Sequence, residues 1–155
     1  MTETKVPKRT TARLEEQLCF AVYQTGHAFT RMYRSALAEL GLTYPQYLVM
    51  LVLWQEDGVT VTGVGARLGL DSGTLTPLLK RLEAGGLVSR LRDTADERQV
   101  RITLTAAGRG LKLKAKGIPQ ALLCASGLGL NDLGALRTRL ESLAANLRAS
   151  AAESA

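Results

Sequence analysis

Two cysteines, Cys19 and Cys124, carry the most reactive side chains of this sequence. A thiolate can bind a metal, attack an electrophilic oxygen or form a disulfide. The two cysteines lie far apart in the sequence and His27 is the single histidine, so no metal-ligand spacing occurs. We therefore predict neither a metal site nor a cofactor. In a reducing compartment a disulfide would act as a signal rather than as a structural cross-link.

Cys19 shares a predicted helix face with two tyrosines. Tyr23 is one turn away, and Tyr33, fourteen residues beyond Cys19, returns to nearly the same direction at about 100° per residue. In a continuous helix, however, Tyr33 lies roughly 21 Å from Cys19 along the axis. A contact between them would have to cross to a second, antiparallel copy of the helix. The alternative, a small buried hydrophobic residue without reactivity, stays open for both cysteines.

Length and charge limit the class of protein. The 155 residues suffice for one domain with a substantial core. A formal net charge of +6 favours a polyanionic partner, nucleic acid before an anionic membrane, although such a charge also occurs on ordinary solvated surfaces. No apolar run reaches the roughly 18 residues of a membrane span, and the polar N-terminus has no signal sequence. We expect a cytoplasmic protein whose residues 1–13 form a basic, flexible tail.

Two helices are predicted ahead of the middle of the chain. Apolar residues recur with helical spacing from Leu14 to Leu40, and Gly41 ends this long first helix. Thr43 and Gln46 then have the spacing of a capping box. The segment YLVMLVLW that follows is apolar nearly all round, so we place this second helix in the middle of the domain.

The segment VTVTGVGARLGLDSGTLTPLLKRL, residues 59–82, has the residue pattern of a helix-turn-helix, with Gly65 at the helix crossing and Gly69 in the turn. In its second helix one face carries a leucine stripe. The opposite face suits the major groove and its phosphates, and its predicted DNA-binding residues are Ser72, Thr74, Thr76, Pro77, Lys80 and Arg81. Because of Pro77, either the first turn is irregular or the regular helix starts near Thr76. Two packed helices without a DNA role remain the alternative.

The pattern changes to alternation after Gly86 and predicts a β-hairpin with a charged tip, which directly follows the helix-turn-helix as a wing. Asp96 is predicted to orient Arg98 by a guanidinium-carboxylate bond. An exposed ion pair without function is the alternative. The arginines that we expect to reach phosphates or the minor groove are Arg90, Arg92, Arg98 and Arg101.

After the wing, the sequence pattern predicts a helix with a break near Pro119. A further helix is predicted from about Asn131 to Leu147, with a heptad-like leucine stripe. This stripe and the first helix present more apolar surface than a small winged helix can cover, so both are predicted to form a dimer interface. The expected fold is mainly α with a small β-hairpin wing: a winged helix-turn-helix lobe (42–116) between dimerisation helices (14–41 and 117–150), within a single unit (14–155). Two-fold symmetry would place two recognition helices on a pseudo-palindromic double-stranded DNA site.

This order of elements, with LTYPQYLVMLVLW and DERQVRITLT, resembles the MarR family of winged-helix repressors. Within that family, QLCFAVY, GLTYPQYLVMLVLW and LDSGTLTPLLKRLE are similar to the organic hydroperoxide sensors of the OhrR group, from about Leu14 to about Leu147. The wing motif is general to the family, whereas a cysteine in QLCFA together with TYPQY is specific to the sensor group.

The resemblance implies a role for four residues. It places the peroxide-reactive cysteine on Cys19 and its hydrogen-bonding tyrosines on Tyr33 and Tyr44 of the partner subunit. CASGL is similar to the resolving-cysteine segment of the two-cysteine members, which implies that Cys124 forms an intersubunit disulfide with Cys19 and releases the operator. No Lys or Arg lies one turn from Cys19, so phenol hydroxyls are the candidates to stabilise its thiolate.

Three hypotheses follow. The first is a homodimeric repressor whose effector is an organic hydroperoxide. The second is a repressor of the MarR type released by a small phenolic or carboxylate ligand in the dimer crevice, which would not depend on Cys19. The third, a thiol peroxidase, is disfavoured because no cation is placed near the thiol, and we expect no enzyme.

Overall fold

The computed structural model describes residues 13–153. It is mostly helical, with a small antiparallel sheet. Its α-helices are α1 (Leu18–Ala36), α2 (Tyr44–Gln55), α3 (Val61–Leu68), α4 (Ser72–Ala84), α5 (Ala106–Lys114), α6 (Ile118–Ser126) and α7 (Leu130–Glu153). The strands are β1 (Val59–Thr60), β2 (Val88–Arg92) and β3 (Val100–Leu104), and short 3-10 helices span Leu14–Glu16, Ala38–Leu40 and Ala115–Gly117. Apart from Arg13, the predicted basic tail lies outside the described residues.

The first helix is shorter than predicted. Gln17 has an extended backbone and separates the 3-10 turn Leu14–Glu16 from α1. At the other end α1 stops at Ala36, because the chain turns so that Leu37 and Leu42 both enter the core. The prediction of one helix from Leu14 to Leu40 is therefore wrong at both ends, although Gly41 does stop the segment with a left-handed φ of 63°.

Helix α2 forms the centre of the core, as predicted. The Gln46 N–H donates to Thr43 Oγ1 at 3.4 Å, and the Thr43 N–H donates to Gln46 Oε1 at 2.9 Å, which completes the capping box. Most of the helix from there to Trp54 is buried. The Trp54 indole N–H donates to the carbonyl of Gly108 at 2.9 Å and so ties α2 to α5.

The helix-turn-helix is confirmed. A Cβ on Gly65 would lie 2.7 Å from the carbonyl oxygen of Leu70, so α3 can approach the following turn only with glycine there. Gly69 makes the turn with a φ of 66°. Helix α4 starts at Ser72, with Asp71 as its N-cap, and Pro77 lies inside the helix. Of the two alternatives that Pro77 left open, a helix start near Thr76 is therefore excluded. Four buried leucines on both sides of Pro77 hold the helix in place: Leu75, Leu78, Leu79 and Leu82.

The predicted hairpin is formed by β2 and β3, with Val88 opposite Leu104 and Arg92 opposite Val100. Strand β1, which the sequence pattern did not predict, pairs antiparallel with the other side of β3. The sheet order is therefore β1-β3-β2. The hairpin is thus anchored to the segment between α2 and α3 rather than projecting from β2 alone.

In the C-terminal section, the predicted helix break lies before Pro119 rather than at it. The predicted break falls on the 3-10 turn Ala115–Gly117, and Pro119 lies in the first turn of α6, where its missing N–H is harmless. Helix α7 is longer than expected and buries none of its residues. Leu136, Leu140 and Leu147 are 45%, 41% and 63% exposed. Among the described residues no helix combines the length and apolarity needed to cross a bilayer.

Candidate redox site and nucleic-acid interface

Tyr33 and Tyr44 form a stacked pair where α1 meets the start of α2. Their ring centroids are 4.4 Å apart with an interplanar angle of 16°. Phe29, one turn earlier on α1, stacks on Tyr33 with 6.3 Å between the ring centroids. The ring centroid of Tyr47 lies 5.8 Å from that of Tyr33. Tyr33 is only 8% exposed. The two predicted tyrosines are therefore brought together, within a row of aromatic rings.

The cysteines lie elsewhere in the chain. Cys19 is exposed in the first turn of α1, and because α1 is continuous to Ala36, it is roughly 21 Å along the axis from Tyr33. Cys124 is exposed on α6, where the Gln120 amide donates to its Sγ at 3.6 Å. Neither cysteine forms a disulfide within the chain. A single chain thus places Cys19 well away from the tyrosine pair of its own α1.

Burial raises the pKa of the phenols in the tyrosine row. Burial, with smaller contributions from Tyr44 and Tyr47, raises the pKa of Tyr33 from 10.0 to about 12. Burial also raises the pKa of Tyr44 and of Tyr47 above the ordinary value. These phenols therefore stay protonated at neutral pH and are available as hydrogen-bond donors, the form that stabilises a nearby thiolate.

The raised pKa predicts a loss of stability at alkaline pH. Above pH 10 the unfolded chain releases the Tyr33 proton while the folded chain retains it, so this contribution is present below pH 10 and is lost as the pH rises to about 12. We expect the thermal midpoint of the wild type to fall more steeply over this window than that of Tyr33→Phe, measured by circular dichroism. Parallel curves for the two proteins would show that Tyr33 does not titrate in this way.

The outer face of α4 presents the residues predicted to bind DNA. Thr76 is half-buried and the others are exposed: Ser72, Thr74, Pro77, Lys80 and Arg81. The Thr74 N–H and hydroxyl both donate to the Asp71 carboxylate, at 2.8 and 3.3 Å, so this threonine helps to fix the helix start. On the wing Arg92, Asp96 and Arg98 are exposed. Arg98 lines, with Thr62, Thr76 and Arg90, a cleft of about 280 Å³ between α4 and the hairpin.

The wing tip is organised by Asp93, a residue that the sequence analysis did not select. The buried Asp93 carboxylate accepts from the backbone N–H of Ala95 at 2.7 Å and pairs with Arg101. Arg101 also donates to the carbonyl of Gly58 at 2.8 Å, which links the wing to β1. Arg101 is therefore engaged within the protein. An Asp followed by turn residues at the end of a strand is the signal that could have identified this position.

The predicted Asp96–Arg98 guanidinium bond is wrong. Asp96 accepts instead from the backbone N–H of Arg98 at 3.1 Å and from the side-chain amide of Gln99 at 3.2 Å. The physical reason is local: a short Asp side chain in a tight turn reaches the backbone two residues on before it reaches a long side chain. Arg90 was expected to contact phosphate. In the structure its guanidinium donates to the Glu83 carboxylate on α4 at 2.7 Å.

Asp93 is expected to hold the wing in its DNA-binding geometry. Hydrogen bonds from the backbone N–H of Ala95 and then from the Arg101 guanidinium hold the pKa of Asp93 below its ordinary value. The ionised Asp93 carboxylate therefore stabilises the fold at pH values above the ordinary pKa. This stabilisation is lost as the pH falls through the lowered pKa of the folded state. We expect Asp93→Asn to weaken DNA binding roughly tenfold at neutral pH, measured by fluorescence anisotropy. Glu97→Gln removes the same charge from the exposed loop and serves as the control; an equal loss in both variants would contradict a positioning role.

Within the described part of the chain no cluster of three or more histidine, cysteine or acidic side chains could bind a metal ion. The candidate groups are two thiols, a tyrosine row and a basic face on α4 and the wing.

Residues 31–114 match the family described as transcriptional regulator SarA/Rot. A Bacillus subtilis (strain 168) protein described as organic hydroperoxide resistance transcriptional regulator is 47% identical over 131 residues, which are 84% of this chain and 89% of that protein. The chain belongs to the MarR/SarA family of winged-helix transcriptional regulators. The resemblance found in the sequence is thereby confirmed.

Two further family members are similar over most of their length. The HTH-type transcriptional regulator TtmR of Methylorubrum extorquens is 57% identical over 138 residues, 89% of this chain and 71% of that protein. The structure of reduced AbfR bound to DNA, a Staphylococcus epidermidis protein, has a TM-score of 0.73 at 39% identity, covering 87% of this chain and 94% of that one. The present chain, as a member of the same family, is a DNA-binding transcriptional regulator and not an enzyme. The peroxidase hypothesis is therefore set aside.

Proposed function

We propose that the protein is a homodimeric repressor that senses organic hydroperoxides by oxidation of Cys19. The observation that carries the proposal is the separation within one chain between the exposed Cys19 thiol at the start of α1 and the stacked pair of buried Tyr33 and half-buried Tyr44, where α1 meets α2. An antiparallel second copy of α1 brings the thiol of one subunit to Tyr33 and Tyr44 of the other. The likeness to an organic hydroperoxide resistance regulator supports the choice of effector.

Exposed apolar residues support the dimer. Leu14, Leu18 and Val22, at the Cys19 end of the chain, are 56%, 62% and 45% exposed. The leucine stripe of α7 is also uncovered. Apolar surface at this density on two long helices is typical of an interface between copies of one chain. The dimerisation helices (14–41 and 117–150) would then flank the DNA-binding lobe (42–116).

The redox step follows from the chemistry of the two thiols. The Cys19 thiolate attacks the distal peroxide oxygen, the O–O bond breaks, and the leaving alkoxide takes a proton to become an alcohol, while Cys19 becomes a sulfenic acid. The Cys124 thiol of the partner subunit then displaces water and forms an intersubunit disulfide. The thiols are oxidised and the peroxide is reduced. The donors that stabilise the initial thiolate are the hydroxyls of Tyr33 and Tyr44.

On DNA, two α4 helices of the dimer read a pseudo-palindromic operator in the cytoplasm. The residues that we assign to base and phosphate contacts are Ser72, Thr74, Thr76, Pro77, Lys80, Arg81, Arg90, Arg92 and Arg98, with Asp96 shaping the tip of the wing. An intersubunit disulfide between α1 and α6 lies beside the connection to the DNA-binding lobes. Its formation is expected to rotate the lobes out of register with the operator.

The experiment is a gel shift on the DNA upstream of the protein's own gene, with cumene hydroperoxide and then dithiothreitol. We expect peroxide to release the wild type and dithiothreitol to restore binding, because the disulfide is reducible. Cys19→Ser should bind DNA and ignore peroxide. A disulfide-linked dimer on non-reducing gels should disappear in Cys124→Ser. Release of Cys19→Ser by peroxide, or binding that ignores peroxide in every variant, would contradict the sensor.

A second candidate function is release by a small phenolic or carboxylate ligand. It is favoured by an apolar cavity of about 260 Å³ between α1 and the C-terminal helices, lined by Phe29, Met32, Leu122, Leu128 and Leu133 among others. Such a repressor would be released by the ligand equally in the wild type and in Cys19→Ser. The same gel shift, run with salicylate in place of peroxide, therefore separates the two functions.

A further inference from the structure

The interior proline of α4 leaves one backbone acceptor of that helix without a partner in the helix. Pro77 is the sixth residue of α4, Ser72–Ala84, and the helix continues through it. Since proline has no N–H, the carbonyl oxygen of Gly73, four residues earlier, receives no helical hydrogen bond. The proline ring also crowds that carbonyl and tilts it outward from the helix axis.

This carbonyl lies on the face of α4 that points away from the core. At roughly 100° per residue, Gly73 and Pro77 lie opposite the buried leucine stripe of the same helix. Both residues are exposed. Gly73 has no side chain, so nothing on its own residue covers the oxygen. The outward face of α4 therefore presents a bare, fixed carbonyl about two turns before Lys80.

We propose that the Gly73 carbonyl oxygen accepts a hydrogen bond from an exocyclic amino group of adenine or cytosine in the major groove, and that Pro77 is the specificity-determining residue that keeps this oxygen free. The inference rests on the proposed placement of α4 in the major groove. It assigns to a fixed backbone oxygen a base-reading role beside those proposed for the hydroxyls of Ser72, Thr74 and Thr76, whereas the Lys80 ammonium is only a donor.

The chemistry of the groove defines the partner. Among the base edges in the major groove, the adenine N6 and cytosine N4 amino groups are the donors, whereas guanine and thymine offer acceptors. A carbonyl therefore discriminates between these two classes of base. A backbone oxygen in a packed helix has no rotamers to lose, so it reads the base at lower entropic cost than a long side chain does.

The proline is unfavourable for the helix itself. An interior proline is the most destabilising residue for an α-helix, and α4 tolerates it because four leucines of the opposite face are buried. Stability and base reading are thus opposed at one position. Replacement of Pro77 by alanine restores an N–H for the Gly73 oxygen and should separate the two properties.

The test measures melting and operator binding of Pro77→Ala, with Pro119→Ala as the matched control, since Pro119 lies in the first turn of α6 away from α4. The operator duplexes carry purine in place of single adenines, or pyrimidin-2-one in place of single cytosines, so that one amino group is removed at a time. We expect the wild type to lose about three- to tenfold in affinity at one position of each half-site. Pro77→Ala should melt several degrees higher and show no loss at that position.

Equal losses in the wild type and Pro77→Ala at every position would overturn the inference. So would a loss that follows removal of a thymine methyl group by uracil substitution, because that result would assign the effect to the proline ring. Lys80→Ala tests the proposed placement of α4 in the major groove. Unchanged DNA binding in this variant would show that α4 does not enter the groove, and would overturn both that placement and the carbonyl proposal. In another outcome, Lys80→Ala loses affinity equally for all the duplexes, while Pro77→Ala discriminates between the modified and unmodified duplexes as the wild type does. This outcome would overturn the carbonyl proposal alone.

Discussion

A mixed dimer of one Cys19→Ser chain and one Tyr33→Phe, Tyr44→Phe chain is expected to react with cumene hydroperoxide at the wild-type rate, through a single Cys19 per dimer. In this dimer the remaining Cys19 belongs to the tyrosine-substituted chain, and it faces the intact tyrosines of the other chain. The homodimer of the tyrosine-substituted chain should react roughly tenfold or more slowly, because hydrogen bonds to a charged group are among the strongest in proteins. The measurement is the rate of Cys19 oxidation by mass spectrometry after rapid mixing.

Phenylalanine is the matched substitution here, because it keeps the stacked rings of Tyr33 and Tyr44 and removes only the hydroxyls. Dimers carrying two different affinity tags can be purified after subunit exchange. If the tyrosines acted on the thiol of their own chain, the mixed dimer would be as slow as the tyrosine-substituted homodimer. That outcome would refute a site shared between subunits.

Replacement of Gly108 by alanine is expected to lower the free energy of unfolding by about 3 kcal/mol or more. A Cβ at this position would lie 2.0 Å from the carbonyl oxygen of Leu87. Neither backbone is free to move: the Leu87 oxygen accepts from the Thr105 N–H at 3.0 Å, and the Gly108 oxygen accepts from the Trp54 indole at 2.9 Å. Denaturant unfolding monitored by circular dichroism measures the effect.

Gly110→Ala is the control in the same helix. A Cβ on Gly110 would meet nothing within 4 Å, and alanine favours a helix over glycine by about 1 kcal/mol. Gly110→Ala should therefore be as stable as the wild type or slightly more stable. A Gly108→Ala protein that unfolds with the wild type would show that α5 and the loop before β2 are not packed as described.

Local rules predicted much of the fold. The capping box of Thr43 and Gln46 and the left-handed Gly69 involve neighbours in the sequence, so residue type alone determines them. The hairpin was predicted from the alternation of Val100, Ile102 and Leu104 with Arg101 and Thr103 in the second strand, after the charged segment DTADER. Strand β1 has only two residues and exists because β3 pairs with it, which no local pattern records.

The errors share a physical cause, namely that distant packing overrides local preference. Pro77 did not delay the start of α4 to Thr76, one of the two alternatives considered, because the leucine stripe is buried on both sides of the proline. The first helix ended before Leu40, because Leu37 turns into the core. On the wing, Asp93 rather than Asp96 forms the ion pair, and its partner Arg101 lies across the hairpin.

For the candidate site, the sequence suggested residues but gave no arrangement for them. The resemblance pointed to Cys19, Tyr33, Tyr44 and Cys124, and the structure brings the two tyrosines into contact. Helical rise alone separated Cys19 from Tyr33 of the same chain. The pairing of Cys19 with the partner's tyrosines, and with Cys124, stays a prediction that the mixed dimers and the non-reducing gels test.

The aromatic row also makes the protein its own optical probe. The sequence contains one tryptophan, and Trp54 lies 6.2 Å from the ring of Tyr47, which in turn lies 5.8 Å from Tyr33. Excited-state energy absorbed by these tyrosines passes to the indole, whose hydrogen bond to Gly108 fixes its orientation. Emission from the tryptophan thus reports on the surroundings of the tyrosine pair, and the proposed reaction with peroxide can be tested in real time without an attached dye.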